Sequence, residues 1–231
     1  MARETPDLSI IIPVLNESTG INDLIAHLRS IDTEARSEII VVDGDPDAGT
    51  LKAIHDTSVV KVNSLQGRGR QMNEGAKIAG GNILLFLHAD TELPQEAVSL
   101  IVEALNNGRF VGGAFDLAIK SERFAFRLIE SMASFRSRIT RIPFGDQAIF
   151  IRKEYFHKIG GYKDIPLMED VEIMQRIKKR GDKICIIRGK AMTSARRWEN
   201  EGVVRCTLRN WLLQLLYYSG VSPSKLAKWY K

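Results

Sequence analysis

Two aspartates follow apolar, β-branched runs at positions where a strand would end. Asp43 closes residues 38–43 (EIIVVD), and Asp90 closes residues 85–90 (LFLHAD). A carboxylate at the end of a buried strand suits a hard divalent cation, because such ions favour oxygen ligands and a diphosphate supplies several more. Asp90 is therefore a candidate metal ligand, although it could equally cap the helix that Pro94 begins.

The carboxylate of Asp43 suits a different task. It could accept a hydrogen bond from the ring N–H of uracil or guanine, which adenine does not offer in the same pose. The next residue is Gly44, and Asp-Gly pairs are common in turns. Base recognition and turn formation are therefore alternatives at this position.

A phosphate-binding pattern lies at residues 67–73 (GRGRQMN), where two arginines alternate with glycines at the start of a helix. Glycines allow close backbone approach, a helix N-terminus favours anions, and guanidinium groups clamp phosphate. The pattern is not a P-loop, and no GxGxxG fingerprint follows the first apolar run. A solvated basic loop is the alternative.

Two more candidate groups lie in the last third of the chain. Glu169 and Asp170 begin a helix after residues 166–168 (PLM). A carboxylate there could remove a proton from an acceptor hydroxyl, or it could stabilise the positive end of the helix dipole. Residues 194–198 (SARRW) offer two phosphate-binding arginines and an aromatic platform, or form an ordinary basic turn.

The apolar pattern predicts the elements that position these groups. Short apolar runs predict strands at residues 8–14, 38–43, 58–63 and 82–88. Segments with helical spacing follow these runs, so the expected fold is a mostly parallel sheet with helices on both faces. Ligands collect at the carboxyl ends of such strands, which here carry residues 16–17, Asp43 and Asp90.

The pattern changes after residue 110. Further strands are predicted at residues 110–117, 145–151 and 183–187. Further helices are predicted at residues 121–140, 169–180 and 203–218. The length of 231 residues then fits one α/β domain with a C-terminal helical extension.

Composition narrows the class of protein. Cys185 and Cys206 lie in separate segments without a CxxC motif, so we expect neither a zinc site nor a disulfide, and a reducing compartment. Residues 1–7 lack the apolar stretch of a signal peptide, and no segment reaches 18 consecutive apolar residues. We therefore expect a cytoplasmic protein, at the inner face of the cell membrane if it binds lipid.

Charge is divided unevenly along the chain. Residues 1–119 carry 9 Lys and Arg against 17 Asp and Glu, whereas residues 120–231 carry 24 against 11. The basic part could meet a phosphate-bearing donor, a lipid headgroup or nucleic acid, or could simply be a solvated face. The basic amphipathic helix at 121–140 and the apolar segment 211–218 could lie on an anionic membrane, or pack on the core or in a homodimer.

The order of the motifs is more specific than any one of them. Strand-Pro-x-x-Asn-Glu, strand-Asp, Gly-x-Gly-Arg, strand-x-x-Asp, Glu-Asp and Arg-Arg-Trp follow one another over about residues 8–200. This order resembles the family-2 glycosyltransferases of the GT-A fold, and the LFLHADT and SARRW segments are most similar to those of its small, single-domain bacterial members. The resemblance implies a Rossmann-like sheet and a divalent metal cofactor, Mg²⁺ or Mn²⁺.

The resemblance also implies roles for the matching residues of the first half. Pro13, Asn16 and Glu17 would border the nucleotide, and Asp43 would hold its base. Arg70 would approach the diphosphate or the base pocket.

Further roles are implied nearer the reacting atoms. Asp90 would be the last position of the Asp-x-Asp motif and would bind the metal. Asp170 would be the catalytic base, with Glu169 beside it. Arg197 and Trp198 would close over the phosphates or the acceptor.

Two positions depart from the family pattern. His88 occupies the first Asp position of Asp-x-Asp, so Asp90 alone would anchor the cation together with the diphosphate. Gly44 stands where many relatives have a second Asp, which predicts unusual recognition of the base.

These inferences predict an inverting transferase that moves a sugar from a nucleotide-diphosphate donor, preferably a UDP-sugar, to a hydroxyl of a lipid or small molecule. Residues 1–119 would bind the donor, residues 120–202 would complete one GT-A domain with the acceptor site, and residues 203–231 would form an amphipathic tail. No nucleic-acid partner is expected.

Two other classes remain open on the sequence alone. A sugar-1-phosphate nucleotidyltransferase would want a glycine-rich, arginine-bearing loop directly after the first strand, where this chain has residues 13–17 (PVLNE). A non-enzymatic nucleotide- or nucleic-acid-binding protein would draw on the basic half. It would not need Asp43, Asp90 and Asp170 at separate strand and helix ends, where carboxylates repel phosphate.

Overall fold

A computed structural model describes residues 6–32 and 36–230 of the protein. The predicted lack of a signal peptide rests partly on residues 1–5, which lie outside the described residues. Among the residues that are described, no helix has both the length and the apolar character needed to cross a bilayer.

The first half alternates strands and helices, as the apolar runs predict. Its elements are β1 (Leu8–Val14), α1 (Ile21–Ile31), β2 (Ser37–Asp43), α2 (Gly49–Ala53), β3 (Val60–Asn63), α3 (Arg68–Ile78), β4 (Ile83–Phe86), β5 (Thr91–Glu92) and α4 (Ala97–Asn106). Residues 16–19 (NEST) after the first apolar run predict the start of a helix at Asn16, but α1 begins five residues later, at Ile21. Asn16 instead adopts a left-handed φ of 59°, which is incompatible with the start of a right-handed helix.

The second half is richer in helices. Its elements are β6 (Gly112–Lys120), α5 (Phe124–Thr140), β7 (Ile149–Arg152), α6 (Lys153–Lys158), α7 (Glu169–Lys179), β8 (Ile184–Ser194), α8 (Arg196–Glu201), α9 (Val203–Tyr218) and α10 (Pro223–Trp229). The strand predicted at 145–151 is shorter, because Gly145–Gln147 forms a 3₁₀ turn and Ala148 has a left-handed φ of 49°. Strand β8 is longer than predicted, since it continues to Ser194 along β6 past a bulge between Phe115 and Asp116.

Within the described residues the strands form one eight-stranded sheet in the order β3-β2-β1-β4-β7-β6-β8-β5. The pairs β1–β2, β2–β3, β1–β4 and β6–β8 are parallel. The pairs β4–β7, β6–β7 and β5–β8 are antiparallel. The fold is therefore the expected mostly parallel α/β sheet flanked by helices.

Strand β1 shows why helices cover both faces of this sheet. Its alternate side chains point to opposite sides, and all of them are buried. Ile10 and Ile12 join an apolar cluster with α1 and α4, whereas Ile11 joins a second cluster with α3 and α7. Helix α3 packs so closely that a Cβ atom on Gly75 would stand 2.6 Å from Ile11 Cγ2.

A buried amide fixes the edge of the sheet where ligands are expected. Gln71 on α3 donates hydrogen bonds from Nε2 to the carbonyl oxygens of Val14 and Val42, each at 2.8 Å. The bonds tie together the ends of β1 and β2. The carboxyl edge of the sheet is thereby held against the N-terminal turn of α3.

Candidate active site

A cavity of about 180 Å³ lies beyond the carboxyl end of β4. Its polar wall includes Arg68, His88, Asp90, Asp146, Glu169, Asp170, Arg197, Trp198, Asn210 and Tyr230. We call it the carboxylate cavity. Five of the residues predicted from the sequence meet here, although they come from three separate parts of the chain: Asp90, Glu169, Asp170, Arg197 and Trp198.

Asp170 is held in a fixed orientation at the start of α7. Met168 precedes the helix with a left-handed φ of 66°, which turns the chain into the cavity. One carboxylate oxygen of Asp170, Oδ1, accepts a hydrogen bond from the amide of Val171 at 2.7 Å. The other, Oδ2, accepts one from the amide of Gly145, also at 2.7 Å. The carboxylate therefore stabilises the helix terminus and still faces the cavity.

Gly145 brings two functional side chains together. A Cβ atom at this position would stand 2.7 Å from His88 Nε2 and 3.4 Å from Asp170 Oδ2. Contacts this short leave no room for a side chain, so the imidazole, the glycine and the carboxylate depend on one another for their positions.

His88 is neutral in this setting. Burial lowers its pKa to about 3, and the nearby charges of Arg68 and Arg197 add to the shift. At neutral pH the imidazole can donate one hydrogen bond to a ligand and accept another, but it supplies no positive charge. The residue at the first position of the Asp-x-Asp motif is thus neither an anion nor a cation.

The Glu169 carboxylate is buried and belongs to an ion pair. Its Oε1 lies 3.3 Å from Nε of Arg68. Burial raises the pKa of Glu169, while Arg68 opposes the rise. Conversely, Glu169 raises the pKa of Arg68, so the guanidinium keeps its charge at the cavity wall.

Asp146 is a further carboxylate of this cavity, from the 3₁₀ turn. Burial raises its pKa to about 6, with Arg136 opposing the rise and the charges of Asp170 and Asp90 adding to it. Its Oδ1 atom is buried and has no hydrogen-bond partner among the described residues. This oxygen is available to a ligand.

Asp90 has the features of a partial metal site. Its side chain is exposed, and the contact to its Oδ1 is a long one of 3.4 Å from the Thr91 hydroxyl. A free carboxylate oxygen is a suitable ligand for a hard divalent cation. No group of three or more His, Cys, Asp or Glu that could hold a metal occurs within residues 6–32 and 36–230, so a diphosphate would have to complete the coordination.

Arg197 and Trp198 enter the cavity from α8. The Arg197 guanidinium donates a hydrogen bond to the Tyr230 hydroxyl, and its Cζ lies 5.1 Å from the centre of the Tyr230 ring. Trp198 packs edge-on against Phe126 at 5.9 Å between ring centroids. The C-terminal segment thus holds a cationic side chain over the cavity.

The residues predicted to border the nucleotide lie outside this cavity. Pro13 is buried within β1, and Asn16 is exposed just beyond it. Glu17 forms an ion pair with Arg196 at 3.3 Å. Arg70 pairs with Asp164 instead of facing the cavity.

Asp43 is fully buried, and both of its carboxylate oxygens already have partners. Oδ1 accepts a hydrogen bond from the amide of Asp45 at 3.0 Å. Oδ2 accepts bonds from the amides of Thr50 at 3.1 Å and Leu51 at 3.4 Å. The side chain thus organises residues 44–51, the loop after β2 and the start of α2.

Four of the ten polar wall residues named above have no individual role predicted from the sequence: Arg68, Asp146, Asn210 and Tyr230. Arg68 belongs to the GRGR pattern, but the sequence did not show which of its two arginines faces the cavity. Asp146 was read as part of a strand, and a Gly-Asp-Gln turn before an apolar run was the available signal. Asn210 and Tyr230 carried no local signal, because the fold of α9 and α10 places them.

Comparisons with known proteins identify the family. Residues 9–163 match the family model described as Glycosyl transferase family 2. The chain is 27% identical over 163 residues to the dolichol-phosphate mannosyltransferase of Pyrococcus furiosus, covering 68% of this chain and 43% of that protein. It is 25% identical over 224 residues to the probable glycosyltransferase YdaM of Bacillus subtilis, covering 86% of this chain and 52% of that protein. The chain thus spans about half the length of these two relatives.

A solved structure shares the fold. The mannosyltransferase PcManGT from Pyrobaculum calidifontis, solved in complex with GDP-Man and Mn²⁺, matches with a TM-score of 0.64 at 17% sequence identity. The match covers 82% of this chain and 57% of that one.

Proposed function

The chain belongs to glycosyl transferase family 2, and we propose that it transfers a sugar from a nucleotide-diphosphate donor to an acceptor hydroxyl at the carboxylate cavity. The observation that carries the proposal is the meeting of Asp90, Asp170 and Arg197 around one cavity. These groups supply an anion for a cation site, a base and a phosphate-binding guanidinium. Family membership supports this proposal over the nucleotidyltransferase and the non-enzymatic binding protein.

Asp170 acts as the general base in this proposal. The amides of Gly145 and Val171 hold its oxygens, which leaves lone pairs for the proton of an acceptor hydroxyl. The acceptor oxygen forms a bond to the anomeric carbon while the bond from that carbon to the diphosphate oxygen breaks. The proton passes to Asp170 and the electron pair leaves with the diphosphate, so in-line attack inverts the anomeric centre.

The departing diphosphate needs positive charge. Arg68 and Arg197 face the cavity, and each can bind phosphate oxygens. Asp90 would hold Mg²⁺ or Mn²⁺, which when bound stabilises the negative charge of the leaving group. Because His88 at the first position of the Asp-x-Asp motif is neutral, the carboxylate of Asp90 at the last position is the anionic group of the motif.

The predicted donor residues of the first half remain part of the proposal. Asn16 and Glu17 follow β1 at the carboxyl edge of the sheet, where a nucleotide would bind. Pro13 and Arg70 would shape the pocket from the strand and from α3. Asp43 would act by ordering the loop that faces the base, since its oxygens are occupied.

The domain organisation is proposed on the same basis. Residues 1–119 would bind the donor and residues 120–202 would complete the GT-A domain and the acceptor site. The tail of residues 203–231 is proposed to close the site, because Asn210 and Tyr230 line the carboxylate cavity. A small apolar cluster formed by Leu167, Leu213 and Leu226 attaches this tail.

A membrane-facing surface is also proposed. Helices α5 and α9 expose a set of large apolar side chains: Phe124, Leu128, Met132, Phe135, Ile139, Val204, Leu208, Trp211, Leu212, Leu215 and Tyr218. An apolar surface of this extent marks an interaction site. In the sequence of α5, α9 and α10 the acidic residue is Glu130, which is buried.

The occupant we propose for this surface is an anionic bilayer. Basic residues lie on all three helices, among them Arg127, Arg205 and Lys225. Two copies of such a face would repel one another in a homodimer, whereas anionic lipid attracts it. Attachment there would place the protein at the inner face of the cell membrane.

A thermal-shift screen of UDP-, GDP- and TDP-sugars with and without Mn²⁺ tests the proposed donor and metal. A ligand that binds the folded state alone raises the melting temperature. We expect one class of sugar nucleotide, UDP-sugars first, to raise it more with Mn²⁺ than without. GDP-sugars form the next set, given the GDP-Man complex of the structural relative. The absence of any shift with every donor would contradict the proposal.

A further inference from the structure

A second cavity, of about 300 Å³, adjoins the carboxylate cavity between α5 and α9. The two cavities share the wall residues Phe144, Asp146, Trp198, Asn210 and Gln214. A molecule in the second cavity would therefore touch groups that also face the first. This continuity makes it a candidate site for part of the acceptor.

Most of the second cavity is apolar. Leu117, Ile129, Met132, Ala133 and Trp211 supply hydrocarbon and aromatic surface. Met132 and Trp211 are also exposed to solvent, at 42% and 51%. The cavity thus reaches the surface between two apolar side chains, and a ligand could extend outward through this opening.

Residues that carry unpartnered polar atoms concentrate on the wall of the second cavity. Among the described residues, eight buried side-chain atoms lack a hydrogen-bond partner. Four of them belong to residues that line this cavity: Asp146 Oδ1, Trp198 Nε1, Thr207 Oγ1 and Asn210 Oδ1. Buried polar groups are normally hydrogen-bonded, so this cluster needs partners that a ligand or an ordered water would supply.

The chemistry of these atoms selects the ligand. Asp146 Oδ1 and Asn210 Oδ1 can only accept hydrogen bonds, and Trp198 Nε1–H can only donate one. A hydroxyl group both donates and accepts, so it can satisfy them. An ionised phosphate would set its oxygens against the carboxylate and the amide oxygen, which repel it.

Arg136, the cationic side chain on the wall of the second cavity, already has partners within the protein. Arg136 donates hydrogen bonds to the Ile142 carbonyl at 3.0 Å and to the Ser137 hydroxyl at 3.3 Å. Its guanidinium also stacks on Phe144 at 3.5 Å from the ring centre. A phosphate group would have to compete with these interactions to use Arg136.

We propose that the second cavity binds the acceptor, and that the acceptor is an uncharged amphiphilic alcohol and not a lipid phosphate. The inference rests on the proposed glycosyl transfer. The hydroxyl lies at the shared wall, where Asp146, Asn210 and Trp198 meet it and Asp170 faces the same space. The apolar part of the alcohol fills the second cavity and extends out of its opening between Met132 and Trp211.

A matched pair of probes tests the headgroup. Geraniol and geranyl phosphate share one apolar chain and differ in the phosphate, and tryptophan fluorescence reports binding because Trp198 and Trp211 line the cavity. We expect geraniol to bind at least tenfold more tightly than geranyl phosphate. Equal or tighter binding of the phosphate would overturn the inference.

A second alcohol distinguishes the source of the acceptor. Dioleoylglycerol in phosphatidylcholine vesicles presents a hydroxyl from a bilayer, whereas geraniol is free in solution. Binding of either alcohol supports the inference. Tighter binding of dioleoylglycerol would identify a membrane source, and tighter binding of geraniol a soluble one. Binding of neither overturns it.

Two variants locate the alcohol. Ala133→Trp fills the cavity and should weaken alcohol binding at least tenfold, whereas Ala125→Trp, at an exposed position of the same helix, should not. Thr207→Val removes an unpartnered hydroxyl and should weaken binding about 3- to 10-fold. Its melting temperature should stay equal or rise, which a structural role of the hydroxyl would not allow. Unchanged alcohol affinity in both cavity variants overturns the inference.

Donor binding separates this inference from the proposed function. Thermal shifts by sugar nucleotides should be the same in the wild type, Ala133→Trp and Thr207→Val. If donors bind and transfer depends on Asp170 but no alcohol binds, the acceptor inference fails and the function stands. If alcohols bind in the cavity but no donor does, the proposed function fails and the alcohol site stands as a binding site.

Discussion

The two halves of the molecule treat their polar side chains differently. In the front half, residues 6–119, three of the predicted ligand-binding groups are already bonded within the protein: Asp43 to backbone amides, Arg70 to Asp164 and Glu17 to Arg196. Asp90, at the edge of the carboxylate cavity, is the exception, because its contact with Thr91 is a long one. In the back half, residues 120–230, Asp146, Trp198 and Asn210 line cavities with polar atoms that lack partners. Asp43, Arg70 and Glu17 thus have fixed geometry, whereas these back-half residues have unused hydrogen-bonding capacity.

This difference separates two ways in which a conspicuous residue can matter. A group with satisfied hydrogen bonds shapes the loop that a ligand meets, and its loss is felt first in stability. A group with free capacity meets the ligand itself, and its loss is felt first in binding or turnover. Asp170 combines both features, since backbone amides hold it while it faces the carboxylate cavity.

The largest expected effect is on turnover, from Asp170→Asn. An amide cannot take the acceptor proton, so kcat should fall roughly 10²- to 10⁴-fold, the usual contribution of a positioned base. Donor binding, followed by calorimetry, should remain near the wild-type value.

Glu172→Gln is the matched control for this variant. Glu172 lies in the same first turn of α7 and pairs with Lys163 and Arg176 outside the cavity. If the acidic residues of this turn only stabilise the helix, both variants should lower the melting temperature and spare kcat. A kcat within tenfold of wild type for Asp170→Asn would remove the base assignment.

The next effect is on stability, from Asp43→Asn. The NH₂ group of the asparagine side chain would face backbone N–H groups that donate to the Asp43 carboxylate in the wild type. This clash of donors should lower the free energy of unfolding by about 2–3 kcal/mol. Urea denaturation measures the loss. Asp45→Asn in the same turn should cost less, because its half-buried carboxylate accepts two longer hydrogen bonds, from the amides of Asp47 at 3.2 Å and Gly49 at 3.4 Å. A loss of donor affinity without a loss of stability would show instead that Asp43 contacts the base.

A smaller and pH-dependent effect is expected from Asp146→Asn. The pKa of Asp146 rises from 3.8 to about 6 on folding, so between these values the folded protein binds more protons at this residue than the unfolded chain does. Its contribution to the unfolding free energy therefore falls as pH rises through this window, and the charged form is a cost above pH 6. The variant should be more stable than wild type by about 1–2 kcal/mol at pH 8. It should be equal to wild type near pH 4.

Parallel urea titrations of the two proteins at pH 4 and pH 8 measure this difference. If Asp146→Asn stabilised the protein equally at pH 4 and at pH 8, the charge of the Asp146 carboxylate would not be what destabilises the folded protein. The comparison of the halves predicts no such gain at pH 8 for Asp43→Asn, because the Asp43 carboxylate is fully hydrogen-bonded.

The smallest expected effect concerns the apolar surface of the back half. Leu212→Glu on α9 should reduce flotation with anionic liposomes roughly tenfold, since it removes an exposed apolar side chain that the bilayer would bury and adds a charge that anionic lipid repels. Ile78 on α3 is an apolar residue of the front half with a similar exposure. Ile78→Glu should leave flotation unchanged. Equal flotation of both variants, or no binding by the wild type at low salt, would rule out attachment through α9.

Much of the fold could be predicted from the sequence, because β1, β2 and β4 are continuous apolar runs that end in polar residues. Their order and spacing fix a parallel sheet. The start of the strand predicted at 145–151 could not be placed, since the left-handed Ala148 has no signature in its side chain. The extension of β8 to Ser194 depends on pairing with β6, which local propensity does not encode.

The candidate site was predictable in part for a similar reason. Asp90, Asp170, Arg197 and Trp198 stand in motifs whose order is specific, and the structure brings them to one cavity. The sequence could not show that Arg68, and not Arg70, faces the carboxylate cavity, because both arginines alternate with the same glycines. On α3 they point in different directions, and it is Arg68 that pairs with Glu169.

The most direct test of the account is a crystal structure of the protein with Mn²⁺ and the nucleoside diphosphate chosen by the thermal-shift screen. We predict that the metal binds Asp90 and that Arg68 and Arg197 contact the diphosphate, with its sugar side directed towards Asp170. A diphosphate bound at Arg70 and Asp164, away from Asp90 and Asp170, would contradict the central claim that the carboxylate cavity is the site of sugar transfer.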